Sequence, residues 1–564
     1  DRTRDRAAGL VARATGAPWL APLVRPHLGR IALLVGLGLV AAATALAPPY
    51  LTKLVIDRGL MAGDAQALVR WSLALFGVGA VALGLGALSS VLHMRASVAM
   101  LAALRALLAR TVLERSPAWR ARHRTGELMA RLDGDAGEVQ AFAFNALLTG
   151  ASAGLRLVGG VAMLFLLAWP LALIALVLAP LELLFYAWAR PRTEALARAS
   201  RAEKGTLSAR FAETLAGLGA IQAARGEGAV AAAIDAAQGR LNAALLRAQV
   251  WGEVTRAGPA LLTALARSAV FLAGGLMVIR GELTLGALIA AIAYLAFLIG
   301  PLQSLFGLWH ARARLTAALE RLDAVMAPDP ALAWPARPAP LPPGPGRLRL
   351  EGVAVGPPGR RLVEALDLAL PGGTRLRVDG PSGAGKTSLM ALLQRHADPD
   401  AGRIALDGVD LRALARDDLR RAVAYVPQRP FLIHGTVAEN LRLGAPEAAE
   451  AELRAALDAV ALTARLAPRG GIDAALGEDG LTLSGGERQR LCLARALLAP
   501  FRVLALDEAL SEVDPETVAR IVAALDARAP HATRIVVTHG APEAWGRFDA
   551  TLTLGPAPRW SASP

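Results

Sequence analysis

Gly380-Pro381-Ser382-Gly383-Ala384-Gly385-Lys386-Thr387 fits the spacing G-x-x-x-x-G-K-[ST]. A strand is expected just before it, over Arg375–Val378, and a helix just after it, over Ser388–Arg395. Strand, glycine-rich turn and helix in that order place this half of the chain in a parallel α/β sheet. The glycines let successive backbone N–H groups close around phosphate oxygens, and the helix start adds the positive end of its dipole. Lys386 is then placed for the β- and γ-phosphates and the Thr387 hydroxyl for Mg²⁺. Alone, the loop identifies a nucleotide-binding protein and no more.

Two later strings extend this reading. Val503-Leu504-Ala505-Leu506-Asp507-Glu508 is an apolar strand ending in two acids. A buried strand would deliver Asp507 to the metal and Glu508 to the water that attacks the γ-phosphate. Leu483-Ser484-Gly485-Gly486-Glu487-Arg488-Gln489-Arg490 precedes a helix expected over Gln489–Leu498, a second helix start suited to an anion. At this string the chain resembles the ATP-binding cassette (ABC) family, whose signature is Leu-Ser-Gly-Gly-Gln or Glu.

The resemblance implies that Ser484, Gly485, Gly486 and Glu487 act on ATP held by a partner's phosphate loop, with two ATP between two cassettes. Tyr425-Val426-Pro427-Gln428 resembles the family's glutamine loop, which senses Mg²⁺. Gly477-Glu478-Asp479-Gly480 resembles its coupling segment, and Ser511-Glu512-Val513-Asp514 the loop that crosses the dimer interface. Val537-Thr538-His539 resembles the switch histidine that contacts the γ-phosphate. The catalytic set implied is Glu508, His539 and Lys386. The ATP-binding set is Gly380 through Ser388 with Gln428, the metal set Thr387, Gln428 and Asp507, and the interface loop contributes Asp514.

Three positions depart from the family pattern. Pro357, in Val353-Ala354-Val355-Gly356-Pro357-Pro358, falls where an aromatic residue stacks on adenine; losing such a stack costs roughly 1–3 kcal/mol. Asp379 precedes the phosphate loop where an apolar residue is usual. Glu512-Val513 replaces the commoner Ala-Leu of the interface loop.

The first half of the chain reads differently. Six apolar segments approach the ~20 residues needed to cross a bilayer: Ile31–Leu51, Trp71–Leu92, Leu147–Trp169, Leu171–Ala189, Pro259–Ile279 and Leu285–Leu308. Trp169-Pro170 and Arg280-Gly281-Glu282-Leu283-Thr284 are short hairpins on one side. The other links are long and basic, with Arg95 to Arg124 in one and Arg190 to Arg256 in the other; Arg25, Arg30, Arg312, Arg314 and Arg321 flank the set. The positive-inside rule puts all of these, both termini and the ATP-binding half in the cytoplasm. The long links are rich in helix formers, so the spans are expected to continue as rods, with turns near Ser116–Arg122 and Glu213–Gln222. Here too the chain resembles exporter-type ABC half-transporters: Thr125–Asp135 and Phe211–Gly217 look like the stretches after their coupling turns.

Composition agrees. Of 564 residues, 54% are hydrophobic and 19% charged, with a mean hydropathy of +0.42, against about 25% charge in soluble chains. The formal charge of +14 comes mainly from arginines flanking apolar runs, which argues for a membrane surface and against nucleic acid. The single cysteine, Cys492, excludes an internal disulfide framework. Asp1–Ala17 is charged and the first apolar run is a true span, so no cleavable signal peptide is expected. The missing initiator methionine suggests a trimmed or partial chain.

The expected protein is a multidomain membrane protein. A six-helix all-α transmembrane domain with long cytoplasmic helical extensions spans residues 1–326, a Pro-rich linker 327–346, and an α/β P-loop nucleotide-binding domain 347–564. Its cofactors are ATP and Mg²⁺. Its partners are the lipid bilayer, a second half-transporter (homodimer or heterodimer) and a small amphipathic substrate, at a bacterial inner (plasma) membrane. ATP-driven export or flipping of a lipid, drug or peptide is the leading function. Import of a metal chelate and an ATP-gated channel or regulatory receptor are the alternatives. Arg156, Glu182 and Arg267 fall inside apolar segments. Each either lines a substrate path, favouring an anionic group, or takes part in an Arg–Glu pair that locks helices, or lies nearer the membrane interface than the segment bounds imply. Tyr294, Phe297 and Phe306 read as packing residues.

Overall fold

The structure, a computed structural model, describes residues 17–564 except 330–331, 357–361, 478–479, 481, 539–541, 556–558 and 563–564. Side chains at 144, 145, 147, 175, 178, 179, 299, 309, 310, 364 and 559–562 are likewise outside the description. The chain divides into two compact units: Asp1–Val112 with Gly126–Met326, and Leu113–Thr125 with Ala327–Pro564.

The first unit is helical. Its main helices are α1 (Leu28–Ala45), α2 (Ala47–Leu54) and α3 (Ala65–Glu114). The chain continues in α4 (Pro117–Ala121, in the second unit), α5 (Ala136–Ala216) and α6 (Leu218–Ala223). The series ends with α7 (Glu227–Ile279) and α8 (Leu285–Met326). Among the described residues, five helical stretches are long and apolar enough to cross a membrane: Leu20–Leu60, Ala65–Glu114, Thr125–Ile174, Glu227–Ile279 and Leu285–Met326. The remaining expected span, Leu171–Ala189, lies within α5 and includes positions whose side chains are not described. α5 breaks where the short hairpin was expected: Ala168 is extended, at φ −162° and ψ 86°, just before Trp169-Pro170. Pro170 cannot supply the N–H that would carry the helix through.

The long basic links are rods, as their composition implied. α3 and α7 reach 50 and 53 residues, far beyond a bilayer crossing. Their turns fall at the expected places. Ser116 caps α4 through its hydroxyl, which accepts from Trp119 N. Gly217, at φ −101° and ψ 12°, separates α5 from α6. Helices approach closely where side chains are small. A Cβ on Gly160 would lie 2.6 Å from Phe297 Cβ, and one on Gly274 2.4 Å from Leu288 Cδ1, the close packing that small residues permit between helices in lipid. Tyr294 is fully buried and donates to the Leu46 carbonyl at 2.7 Å, so its hydroxyl satisfies a backbone group at the α1–α2 junction.

The cassette starts at β1 (Leu348–Val355), β2 (Val363–Leu370) and β3 (Arg375–Asp379), which leads into α9 (Lys386–Leu393). Next come β4 (Ala401–Leu406), β5 (Val409–Asp410), α10 (Arg416–Ala422) and β6 (Val423–Val426). A helical region follows, with β7 (Gly435–Thr436), α11 (Val437–Arg442), α12 (Glu450–Ala459) and β8 (Ala475–Leu476). The unit ends with α13 (Gly485–Leu497), β9 (Val503–Asp507), α14 (Pro515–Arg528), β10 (Thr533–Val537), β11 (Ala550–Thr553) and β12 (Arg559–Ala562).

One sheet runs β12-β11-β3-β10-β9-β6, parallel except at β12; a second runs β2-β1-β4-β5, antiparallel. Every residue of β9 and β10 is buried, which explains why Val503–Leu506 and Ile535–Val537 are unbroken apolar runs and not alternating ones. Two helices differ in extent from their expectation. α9 begins at Lys386 and not Ser388. α13 begins at Gly485, four residues earlier than Gln489. The reason in α13 is a capping box: Ser484 Oγ accepts from Glu487 N at 3.3 Å and Glu487 Oε2 from Ser484 N at 3.0 Å.

Candidate functional site

The parallel strands β3 and β9 flank β10, and their C-terminal ends bring two motifs to one edge of the sheet, where open α/β sheets bind ligands. After β3 the chain turns through Gly380, Gly383 and Gly385 at φ 143°, 81° and 95°. Gly385 is the residue before α9, and its left-handed backbone is a conformation that glycine adopts without strain. The Lys386 ammonium is buried and donates to the carbonyls of Gly380 at 2.6 Å and Pro381 at 3.3 Å. It spans the loop and braces it. Ser382 and Thr387 are exposed, with Ala384 and Ser388 half-buried beside them. Asp379, the unusual residue before the loop, is paired with Arg377 at 2.9 Å; these positions share a face of β3.

Asp507 ends β9 with 1% exposure. Burial pushes its carboxyl above the ordinary range, the Glu508 charge adds to this, and the Thr387 hydroxyl opposes it. Tyr425 donates to Asp507 Oδ2 at 3.4 Å, and burial with the Asp507 charge pushes the Tyr425 phenol up. Asp507 Oδ1 is buried without a hydrogen-bond partner. An orphaned carboxylate oxygen beside a threonine hydroxyl suits a hard cation that takes oxygen ligands. No cluster of three or more His, Cys, Asp or Glu able to hold a metal occurs among the described residues. A Mg²⁺ here would therefore rely on Asp507, Thr387 and phosphate oxygens, with Gln428 nearby, which fits its preference for few protein ligands.

Glu508 follows at φ 52°, a left-handed conformation that costs a non-glycine residue about 1–3 kcal/mol and is found at functional sites. Its Oε2 accepts from Gln428 Nε2 at 2.7 Å. The backbone is fixed by Glu508 N donating to the Val537 carbonyl at 3.0 Å. From the other side comes Gln489, on α13: its amide donates to the Glu508 carbonyl at 3.4 Å and Ser511 Oγ at 3.1 Å, and accepts from Glu512 N at 3.1 Å. Gln489 was not among the sequence candidates. Its signal was a polar residue on the buried stripe of α13, three and four residues before Cys492 and Leu493. Gln489→Leu is expected to lower turnover about tenfold with ATP affinity little changed, since losing buried hydrogen bonds costs about 1–3 kcal/mol; a kcat and KM comparison checks it.

The signature lies at the start of α13. Ser484 is exposed, Gly486 and Glu487 are buried, and Arg465 and Arg469 face the Glu487 carboxylate at 4.0 and 3.9 Å. Asp514 caps α14, and the Thr517 N–H on its carboxylate holds it below the ordinary range. The structure thus brings together Gly380–Ser388, Gln428, Asp507 and Glu508. His539, Pro357, Glu478 and Asp479 lie outside the described residues; β10 ends two residues before His539.

In the helical unit the three candidate ionisable residues are not brought together. Arg156 lines a cavity of about 500 Å³ between α5 and α8, with Thr149, Ser152, Phe297, Pro301 and Ser304. Glu182 is buried elsewhere; Thr263 Oγ1 donates to its Oε1 at 3.4 Å and its Oε2 has no hydrogen-bond partner. Arg267 is exposed on α7. None of the three is ion-paired with another among the described residues, so the expected alternative of an Arg–Glu lock is not formed.

The chain is similar to known proteins. Residues 31–302 match the ABC transporter transmembrane region and residues 363–511 the ABC transporter family. The ATP-dependent lipid A-core flippase of Thiobacillus denitrificans is 32% identical over 532 residues, covering 92% of this chain and 90% of that protein. The multidrug resistance-like ATP-binding protein MdlA of Escherichia coli is 31% identical over 87% of this chain and 83% of its own. A bacterial Atm1-family ABC exporter solved with ATP bound superposes with a TM-score of 0.82 over 94% of both chains, at 24% identity, and so shares the fold.

Proposed function

This chain belongs to the ABC transporter family as an exporter-type half-transporter, and we propose that it couples ATP hydrolysis to outward movement or flipping of an amphipathic substrate. The observation that carries this is the meeting of the Gly380–Thr387 loop, the orphaned Asp507 oxygen and the strained Glu508 on one edge of the cassette sheet. The relatives named as a lipid flippase and a multidrug-like protein support the substrate class.

In this reading the loop N–H groups and Lys386 hold the β- and γ-phosphates, Lys386 exchanging its carbonyl partners for phosphate oxygens. Thr387, Asp507 and Gln428 hold Mg²⁺, which when bound neutralises charge on the phosphates. Glu508 takes the proton of the attacking water, and its hydrogen bond from Gln428 keeps the carboxylate turned toward the site. His539 contacts the γ-phosphate by resemblance to the switch histidine. Ser484, Gly485 and Gly486 close on the ATP of a second half-transporter, with Asp514 in the loop between the cassettes. All the catalytic groups that the resemblance implies occur on this one chain, which permits a homodimer; the mass of the purified complex tests that against a heterodimer. A multi-pass protein with this relative set suits a bacterial inner membrane.

The cavity lined by Arg156 supports an anionic head on the substrate: one guanidinium and three hydroxyls share its wall with Phe297 and Pro301. A charged side chain held at membrane depth faces a cavity or a partner. Screening lipids, fatty acids, peptides and drugs for ATPase stimulation in nanodiscs should single out anionic amphiphiles. Arg156→Leu is expected to lose that stimulation, whereas Arg267→Leu, on the exposed face of α7, retains it. Equal stimulation of the Arg156→Leu protein would remove the cavity from the path.

A further inference from the structure

A carboxylate of the chain's own stands on the signature. Given a Cβ, Gly485 would place it 1.5 Å from Glu512 Oε2, and Gly486 would place one 2.5 Å from the Glu512 carbonyl oxygen. Gly485 therefore leaves a hollow at the start of α13 that the Glu512 carboxylate fills, while Gly486 lets the Glu512 backbone pass close by. The backbone beneath that side chain is anchored, since Glu512 N donates to Gln489 Oε1 at 3.1 Å. The carboxylate itself is exposed. Among the described residues no ion pair is formed by Glu512; the neighbouring Arg465 and Arg469 face Glu487 instead. The start of a helix such as α13 carries N–H groups and a dipole end that favour negative charge.

We infer that Glu512 occupies, in cis, the anion seat of the signature and must leave before a partner's γ-phosphate can enter, so that it sets the ATP concentration at which the two cassettes close. The inference rests on the proposed closure of Ser484–Gly486 over a partner's ATP. Two negative groups cannot share the hollow, because the Glu512 carboxylate takes the space beside Gly485 and like charges within a few ångströms repel. Release needs only rotation of the side chain, because Glu512 is exposed and its backbone stays bonded to Gln489. Glu512 thus competes with the partner's γ-phosphate from the interface loop. A small apolar residue at this position would leave the seat open at all times.

The test uses the full chain in nanodiscs, carrying Glu508→Gln to arrest hydrolysis, and measures labelled ATP retained with Mg²⁺ after rapid desalting. Glu512→Ala and the isosteric Glu512→Gln are each expected to lower the half-saturating ATP concentration by roughly threefold to thirtyfold, the range of helix-terminus charge effects. Ser484→Ala in the same background should lose retention, which shows that the signature takes part. If Ser484→Ala loses retention while both Glu512 variants keep the parental half-saturation or need more ATP, the cis occupant is overturned and the sandwich stands. If Ser484→Ala retains ATP as its parent does, the sandwich itself fails and this inference with it.

Discussion

Glu508→Gln is expected to reduce ATP turnover by about 10²–10⁴-fold, the usual contribution of a positioned acid–base group, while leaving ATP binding intact. The amide keeps the size of the carboxylate and can still meet Gln428, now through its oxygen, so the left-handed turn at φ 52° and the hydrogen bond at 2.7 Å have a substitute. What disappears is a group able to take a proton from water. The protein should then accumulate with nucleotide held between its cassettes. Steady-state ATPase together with retained nucleotide checks both halves of the expectation. Hydrolysis at the parental rate would remove Glu508 from the role of base.

Lys386→Ala is expected to weaken ATP binding by about ten- to hundredfold, since a hydrogen bond to a charged group contributes about 1.5–3 kcal/mol. Two effects act in the same direction. The phosphates lose their ammonium, and the loop loses the brace that ties Lys386 to the carbonyls of Gly380 and Pro381. Lys386→Arg should not restore binding, because a guanidinium is planar and bulkier than the buried ammonium it replaces. The readout is the rise in melting temperature that Mg·ATP gives the parent protein and, by linkage, should not give the variant. A variant stabilised as strongly as the parent would show that the loop binds phosphate without its lysine.

Much of the site could be read from local sequence because its parts are short and obey local rules. A phosphate loop is a run of residues whose spacing is set by backbone geometry, so Gly380–Thr387 announces itself without any tertiary contact. The same holds for the spans: twenty apolar residues suffice to cross a bilayer, and Pro170 marks its hairpin because it lacks an N–H. Capping at Ser484 was legible in principle, through Glu487 three residues on, yet the helix was expected to begin at Gln489. There the glycines of the signature read as a loop, while the reciprocal cap carried the helix through them.

Other features had no local signature. Gln489 ties Glu508, Ser511 and Glu512 together across 19 to 23 residues, a relation that exists only once α13 packs beside the end of β9. Asp379 departs from the family pattern in sequence, and Arg377 on the same strand face pairs with it. Arg156, Glu182 and Arg267 were alike in sequence as charges in apolar runs. Packing separated them into a cavity wall, a buried carboxylate and an exposed helix face, because helix rotation depends on the neighbours and not on the run itself.

The sequence by itself thus determined the family, the membrane half, the cassette and the chemical inventory of the loop, since each follows from hydrophobic run length or from backbone-encoded motifs. Only the tertiary structure decided which polar groups meet: the brace of Lys386, the orphaned oxygen of Asp507, the support of Glu508 and the carboxylate on the signature. Those depend on contacts between residues far apart in the chain, which short-range spacing does not encode.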